Sequence, residues 1–445
     1  MDKNDKITGV PLNQIRAELE TLLKDEAGSA ILEPMRPSCK LAVLIPVYNE
    51  TIETLLRPLL SLACQTNIGP EVFEVVVVVN NSRDETLAKS SAFLANQTVL
   101  EFLRALASGT GGAKLFAPYQ RAMEQIRNSG IKVFGIDKSS LNQTDPRNHI
   151  GHARNRGCLE IMNRFLANPA GADGIIAMTD CDCRLSANYI REILDIYAAH
   201  PDLNGLAGRV EHEPDTNLSY PDLVKKIFDM HLTYSRPSPA DYPDRLVFQQ
   251  KHEVLAPVMF SGANMVFPAR AWMQAGAFAD RLSGEDFYFG CRIVSLPGDA
   301  ALTDRYTIFQ QLRISSRTGL GSYGRRVKKI AQSVDDYKLG RSQYLYAPDT
   351  KRWLGFVNTV VSQAKLGALT GRELEKLMAV YGCNAKELEP DGIAALAGKM
   401  NEKMHLPDRF TDWAAAEELL VAAFSDGMPM KEVTNSVFGS TLTKS

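Results

Sequence analysis

Two aspartates one residue apart pose the chemical question of this chain. The stretch "GIIAMTDCDCRLSANYI" (174–190) runs from an apolar strand into Asp180 and Asp182 and then toward a helix. Carboxylates this close repel one another unless a cation lies between them or a polar, helix-capping turn solvates them. Magnesium or manganese suits such oxygen ligands and takes one or two carboxylates, with water and phosphate oxygens completing the shell. Cys181 and Cys183 interleave with the acids and raise the alternative of a thiolate zinc site. No partner pair at metal-ligand spacing accompanies them. A second acidic pair, Glu285 and Asp286, sits in "SGEDFYFGCRI" (283–293). Its plain reading is an acid pair held at a helix amino end by the helix dipole.

Other polar groups follow the same plan. "PVYNE" (46–50) and "NNSRD" (80–84) both directly follow apolar runs, within "CKLAVLIPVYNE" (39–50) and "FEVVVVVNNSRDET" (73–86). "GHARNRG" (151–157) sets Arg154, Asn155 and Arg156 at a helix start, where guanidinium groups and the helix amino end would both favour an anion. The rival is a solvated arginine face. His149 and His152 have a spacing that could chelate, but the surroundings of Pro146 read as loop.

The elements that must position these groups are legible from apolar patterning. Continuous β-branched runs suit parallel strands buried on both faces, and here they alternate with helical stretches. Strands are predicted at 39–50 (breaking at Pro46), 73–80, 131–137 and 174–178, then in "NGLAGRVEH", "FSGANMVFP" (260–268) and "ALTDRYTIFQQLRI". Helices are predicted at 53–65, across 87–130 with a break at "SGTGGAK" (108–114), at 151–166 and at 187–200. "GEDFYFGCRIV" reads as a loop leading into another. Asp84 is a candidate cap for the helix after the second strand. Ligands in open α/β sheets sit outside the carboxyl ends of the strands, so three polar loops gather on one edge.

The bulk numbers narrow the class. The chain has 445 residues, 45% hydrophobic and 23% charged, with a formal net charge of −2. That is ordinary for a globular protein of two or three lobes. No basic field favours nucleic acid. Seven scattered cysteines argue against a secreted disulfide framework and for reduced thiols in the cytoplasm. The polar start carries no apolar signal core, and no run of about 18 apolar residues would span a bilayer.

As an ordered set, "LIPVYNE", "VVNNSRDET", "GHARNRG", "MTDCDC", "FSGANMVFP" and "SGEDFYFGCRI" resemble the GT-A glycosyltransferases of family 2, over roughly residues 40 to 320. The resemblance implies a Rossmann-like, doubly wound mixed α/β sheet at 39–325; outside it, apolar patterning predicts an N-terminal helical lead at 1–38 and a helical C-terminal region at 326–445. The resemblance also implies inverting transfer of a sugar from a UDP- or GDP-linked donor to an acceptor hydroxyl, with Mn2+ or Mg2+. By that likeness Pro46, Tyr48 and Glu50 lie beside base and ribose. Asn80 stands where many members carry an aspartate, which puts the choice of UDP in doubt. Arg154 and Asn155 lie under the diphosphate, Asp180 and Asp182 hold the cation, and Asn264 in "SGAN" approaches the donor sugar or is a simple turn residue. Asp286 is the base, with Glu285 binding acceptor or orienting the loop, and Arg317, Arg325 or Arg326 neutralises the pyrophosphate.

"GLGSYG" (319–324) matches a dinucleotide fingerprint, but no βαβ unit with a ribose-binding acid follows it. The acceptor is unknown: a saccharide, a lipid-linked molecule or a small molecule. Rivals are a retaining transferase such as a sugar-glycerate synthase, or a silent nucleotide-sugar-binding protein. For the tail, packing of Trp353 and Phe356 on the catalytic lobe, homo-oligomerisation through C-terminal helices and peripheral contact with the inner face of a membrane are further expectations.

Overall fold

The structure, a computed structural model, describes residues 31–109, 115–144, 150–222, 224–225, 246–248, 261–276, 278, 285–313, 369–381 and 393–398, with single positions at 328, 331, 332, 335 and 360. Four expectations lie outside these residues: the helix predicted near the N-terminus, His149 as a partner for His152, the segment with Arg317 and "GLGSYG", and Trp353 with Phe356.

The longest apolar runs build the centre of the sheet. β1 (Leu41–Val47) and β2 (Phe73–Asn80) are buried along their whole lengths. They pair in parallel, β1 also pairs in parallel with β4 (Ile175–Met178), and β2 with β3 (Lys132–Lys138). Beyond β4 the sheet continues through β8 (Met265–Pro268), β6 (Leu203–Pro214), β9 (Asp299–Leu312) and β5 (Cys183–Leu185), with β4–β8, β8–β6 and β9–β5 paired antiparallel. β7 (Leu246–Phe248) pairs with β9 off this path. The order among the described residues is β3-β2-β1-β4-β8-β6-β9-β5. Strand order therefore reverses between β1 and β4, where a doubly wound sheet opens its ligand crevice.

Side-chain alternation along the strands feeds two cores. Leu41, Val43 and Ile45 face α1 (Ile52–Ala63), α3 (Ser91–Ser108), α4 (Gln120–Asn128) and α6 (Tyr189–Ala199). Ala42 and Leu44 face α5 (Ile150–Leu166), α7 (Ala269–Gln274) and α8 (Glu285–Ser295) on the other side. Helices on both faces of a mixed sheet confirm the fold class read from the sequence.

Several local expectations need correction. β1 does not break at Pro46. It runs on to Val47 with Pro46 buried opposite Val78, so that ring is part of the strand and not a platform in the loop. One missing ladder donor costs less than exposing Ile45 and Val47 would. Asp84 does not cap: Ser82 caps α2 (Arg83–Leu87), accepting from the Glu85 amide while Glu85 reaches back to the Ser82 amide. Of "FSGANMVFP", only 265–268 is strand within the described residues. Ser261 to Asn264 form a bridged turn, because the Asn264 amide bonds the Ser261 carbonyl.

Residues 31–38 carry no regular structure yet are bound to the sheet-bearing unit. The buried Glu160 accepts from the Ile31 amide at 2.8 Å, and Arg164 donates to the Glu33 carbonyl at 2.6 Å while gripping buried Glu74 with two nitrogens. Arg36 donates to the Pro70 and Gly130 carbonyls. The chain divides into two compact units, Met1–Glu213 with Ser238–Gln311, and Pro214–Pro237 with Leu312–Ser445. In the second, α9 (Gly371–Tyr381) opens on a capping box between Thr370 and Glu373, and Gly371 lies against Ala394.

α5 lies unusually close to the sheet, because Gly157 faces it. A β-carbon there would come within 2.2 Å of Leu44 Cδ1 and 3.1 Å of Val78 Cγ2, both in the packed core. Gly157→Ala gains helix propensity but overpacks this contact, so a net loss of about 1–2 kcal/mol is expected. The midpoint of urea unfolding measures it, and an unchanged midpoint would show that Leu44 yields freely.

Candidate active site

The loops after β1, β2 and β4, the second turn of α5, the turn at 261–264 and the first turn of α8 carry the chemistry-bearing residues. Arg154 is the hub. α5 buries it, and its guanidinium bonds Asp180 Oδ1 at 3.1 Å through one terminal nitrogen and Glu285 Oε1 through the other. The same guanidinium lies against the backbone of Gly262, where a β-carbon would sit 2.0 Å from it, and over the Phe278 ring at 5.9 Å. The solvated-face reading of "GHARNRG" is therefore overturned. Arg156 is equally buried and pairs with Glu160 one turn along.

The acids around this cation are unequal. Burial pushes Glu285 up to about 7; Arg154 works against that, and the neighbouring Asp286 and Asp180 add to it. Burial also opposes the charge on Arg154, yet Glu285, Asp180 and Asp286 together hold its pKa above the ordinary arginine value. Both acids of the second pair lie in the first turn of α8, so the plain helix-dipole reading holds alongside a functional one. Asp286 is only half-buried, and its Oδ2 accepts the Gly262 amide at 2.7 Å. That bond ties the acid to the turn against which Arg154 rests.

At the end of β4 the Asp180 carbonyl accepts the Cys183 amide, closing a tight turn. Asp180 Oδ2 receives Gln310 Nε2 at 3.5 Å. The Asp182 carbonyl accepts from Arg57 Nε at 3.1 Å and from the Gln311 amide. Arg57 in turn pairs with Glu213. The two carboxylates offer oxygen donors on one turn, which fits a hard cation. Among the described residues no group of three His, Cys, Asp or Glu gathers to hold a metal. A cation at Asp182 and Asp180 would therefore complete its shell from phosphate and water, as magnesium and manganese do. The zinc alternative lacks its cage: among the described residues no third or fourth His, Cys, Asp or Glu joins Cys181 and Cys183 to complete one.

The loops after β1 and β2 are tied to one another. Tyr48 donates its hydroxyl to Glu85, the residue that closes the α2 capping box. Glu50 and Asn80 are buried at the carboxyl ends of their strands. Asn49 takes a left-handed conformation, φ 53°, and its amide donates to Asn96 Oδ1. Two residues placed at the donor by sequence are engaged elsewhere. The Asn155 amide clasps Phe278 through both backbone groups and accepts Trp272 Nε1. Asn264 donates to the Arg209 carbonyl. Sequence reasoning missed Asn96, Arg57 and Gln310. Asn96 carries a usable signal, a polar residue in helical register with the apolar Val99, Leu100 and Leu103.

Two family models match the chain. "Glycosyl transferase family group 2" covers residues 175–366, which include Asp180, Asp182, Glu285 and Asp286. "Glycosyl transferase family 2" covers residues 42–115, which include Tyr48, Glu50 and Asn80. No curated protein sequence matches. Among solved structures, S. aureus TarS is 14% identical with a TM-score of 0.36, over 67% of this chain and 40% of that one. This chain thus spans less than half of that relative. GalNAc-T7, solved with UDP, GalNAc and Mn2+, is 14% identical with a TM-score of 0.36, over 84% of this chain and 59% of that one. The mannosyltransferase PcManGT from Pyrobaculum calidifontis, in complex with GDP-Man and Mn2+, is 15% identical with a TM-score of 0.37, over 93% and 95%.

Proposed function

We propose, from the premise that this chain is a glycosyltransferase of family 2, that it transfers a sugar with inversion from a nucleotide-diphosphate sugar to an acceptor hydroxyl, with Mn2+ or Mg2+ bound. One observation carries the reading. Arg154 bridges Asp180 to Glu285, so the acids after β4 and the acid pair of α8 share one guanidinium at the crevice beside β1. Leaving-group chemistry and proton acceptance thereby meet in one place.

Tyr48, Glu50 and Asn80 contact base and ribose, and Asp182 with Asp180 would hold the cation. That cation supplies neutralising charge to the departing diphosphate. Arg154 adds fixed positive charge in a buried site, where it acts more strongly than in water. The Asp286 carboxylate takes the proton of the acceptor hydroxyl as its oxygen forms the new bond to the anomeric carbon. The bond from that carbon to the diphosphate oxygen breaks on the opposite side, and the diphosphate leaves with the electron pair. Glu285, gripped by Arg154, orients this loop. Among the described residues no helix is long and apolar enough to cross a membrane.

Thermal denaturation with UDP, GDP and other nucleoside diphosphates, with and without Mn2+, tests the assignment. A nucleotide at a hundred times its dissociation constant should stabilise the fold by about 2.7 kcal/mol. The shift is expected only with the cation, and Asp182→Ala should abolish it. No shift with any nucleoside diphosphate, or equal shifts without the cation, overturns the reading.

A further inference from the structure

α3 sends one polar side chain into the seam between the two loops assigned above to the base. Asn96 is fully buried, and its amide makes three bonds to three residues. Oδ1 accepts the Asn49 amide at 2.9 Å, on the loop after β1. Nδ2 donates at 2.9 Å to the Asn80 carbonyl and at 2.9 Å to Asn81 Oδ1, on the loop after β2. Both Nδ2 hydrogens are thus used, which fixes the amide orientation without a flip ambiguity.

The surrounding bonds make this link rigid. Asn81 Nδ2 donates to Thr86 Oγ1 at 2.6 Å, and Asn81 Oδ1 also receives the Ser139 hydroxyl. Thr86 donates to the Ser139 carbonyl at 2.8 Å, and Gln97, beside Asn96, donates to the Ser139 hydroxyl at 3.1 Å. Ser139 follows β3 and is itself held by Asp137, which accepts its amide. Three strand-end loops therefore share one buried network, in which the Asn96 side chain joins the β1 loop to the β2 loop, beside the Tyr48 to Glu85 bond that also ties them. A buried network this densely bonded favours one arrangement.

We propose that Asn96 is a positioning residue that sets the gap between the loops bearing Tyr48, Glu50 and Asn80, and so sets which nucleobase the enzyme accepts. The inference rests on the nucleotide-sugar reading. No shorter or differently charged side chain reproduces its three bonds. Serine at 96 cannot span from Asn49 to Asn80. Aspartate keeps the acceptor for Asn49 but loses both donors and faces two oxygens.

The test compares dissociation constants of UDP, GDP, ADP and CDP, each with Mn2+, and of inorganic pyrophosphate with Mn2+, for the full chain and for Asn96→Ser and Asn96→Asp. The two variants guard against one failing to fold. The wild type is expected to favour one base by at least tenfold. In the folded variants that preference should shrink by about tenfold, with pyrophosphate affinity within threefold of wild type. An unchanged preference overturns the proposal, and so does an equal weakening of every ligand including pyrophosphate, the signature of a merely structural role. A wild type that binds nucleoside diphosphates without preference overturns the proposal while sparing the function. A wild type that binds none overturns both.

Discussion

Asp286→Asn should lower kcat by about 100- to 10,000-fold, the range over which a positioned general base acts, while stability and donor affinity stay close to wild type. The structure explains why the loss should be confined to chemistry. Asp286 Oδ2 accepts the Gly262 amide at 2.7 Å, and an asparagine oxygen in the same place accepts it equally well. The turn that seats Arg154 is thereby preserved. What disappears is the ability to take a proton. Glu285→Gln separates the two acids of the pair. Glu285 is buried against Arg154, so its replacement should disturb the cluster and donor binding together. Initial rates across donor and acceptor concentrations, with a denaturation midpoint for each variant, make the comparison. A kcat for Asp286→Asn within threefold of wild type would remove Asp286 from the role of base. A chemistry-only loss in Glu285→Gln would transfer that role to its neighbour.

How much of this was readable in the chain depends on the range of the interaction. β1, β2 and β4 announce themselves because burial on both faces demands unbroken apolar runs, and no polar residue interrupts "VVVVV". The polar loops after them follow directly, so Asp180 and Asp182 were visible by position alone. Short elements were not. β5, with three residues, and α7, with six, are shorter than the windows over which periodicity shows. "FSGANMVFP" was read as one strand because its apolar ends masked a turn closed by the Ser261 to Asn264 bond. Arg154 was legible as a cation near an anion site. Its bond to Glu285 spans 131 positions, and nothing local encodes that. The same applies to Arg57, whose reach to the Asp182 carbonyl spans 125 positions. Asn155 shows the converse case. Its residue type fits a ligand contact, but the fold places Trp272 and Phe278 within its reach and occupies its amide with them.

Arg154→Met should remove activity and cost about 3–5 kcal/mol of stability near pH 8, the penalty for stripping a buried ion pair of one partner. The cost should fall steeply on acidification, and the direction follows from Glu285. Its pKa in the folded protein is about 7 against an ordinary 4.5, because burial penalises the carboxylate more than Arg154 relieves it. A carboxyl group shifted upward lends stability in full below about 4.5 and loses it as pH rises through about 7. Without Arg154 the folded pKa climbs further, since the largest opposing influence is gone while Asp286 and Asp180 remain. Methionine's variant should therefore approach wild-type stability near pH 5, where Glu285 is protonated in both proteins, and diverge progressively above pH 7. Arg154→Lys keeps a charge but not the planar fork that spans Asp180 and Glu285, so it should fall between the two. Urea unfolding at several pH values measures all three. A destabilisation of the same size at pH 5 and pH 8 would mean that the methionine variant loses packing against Gly262 and Phe278, and that the charge on Glu285 is not what Arg154 holds in place.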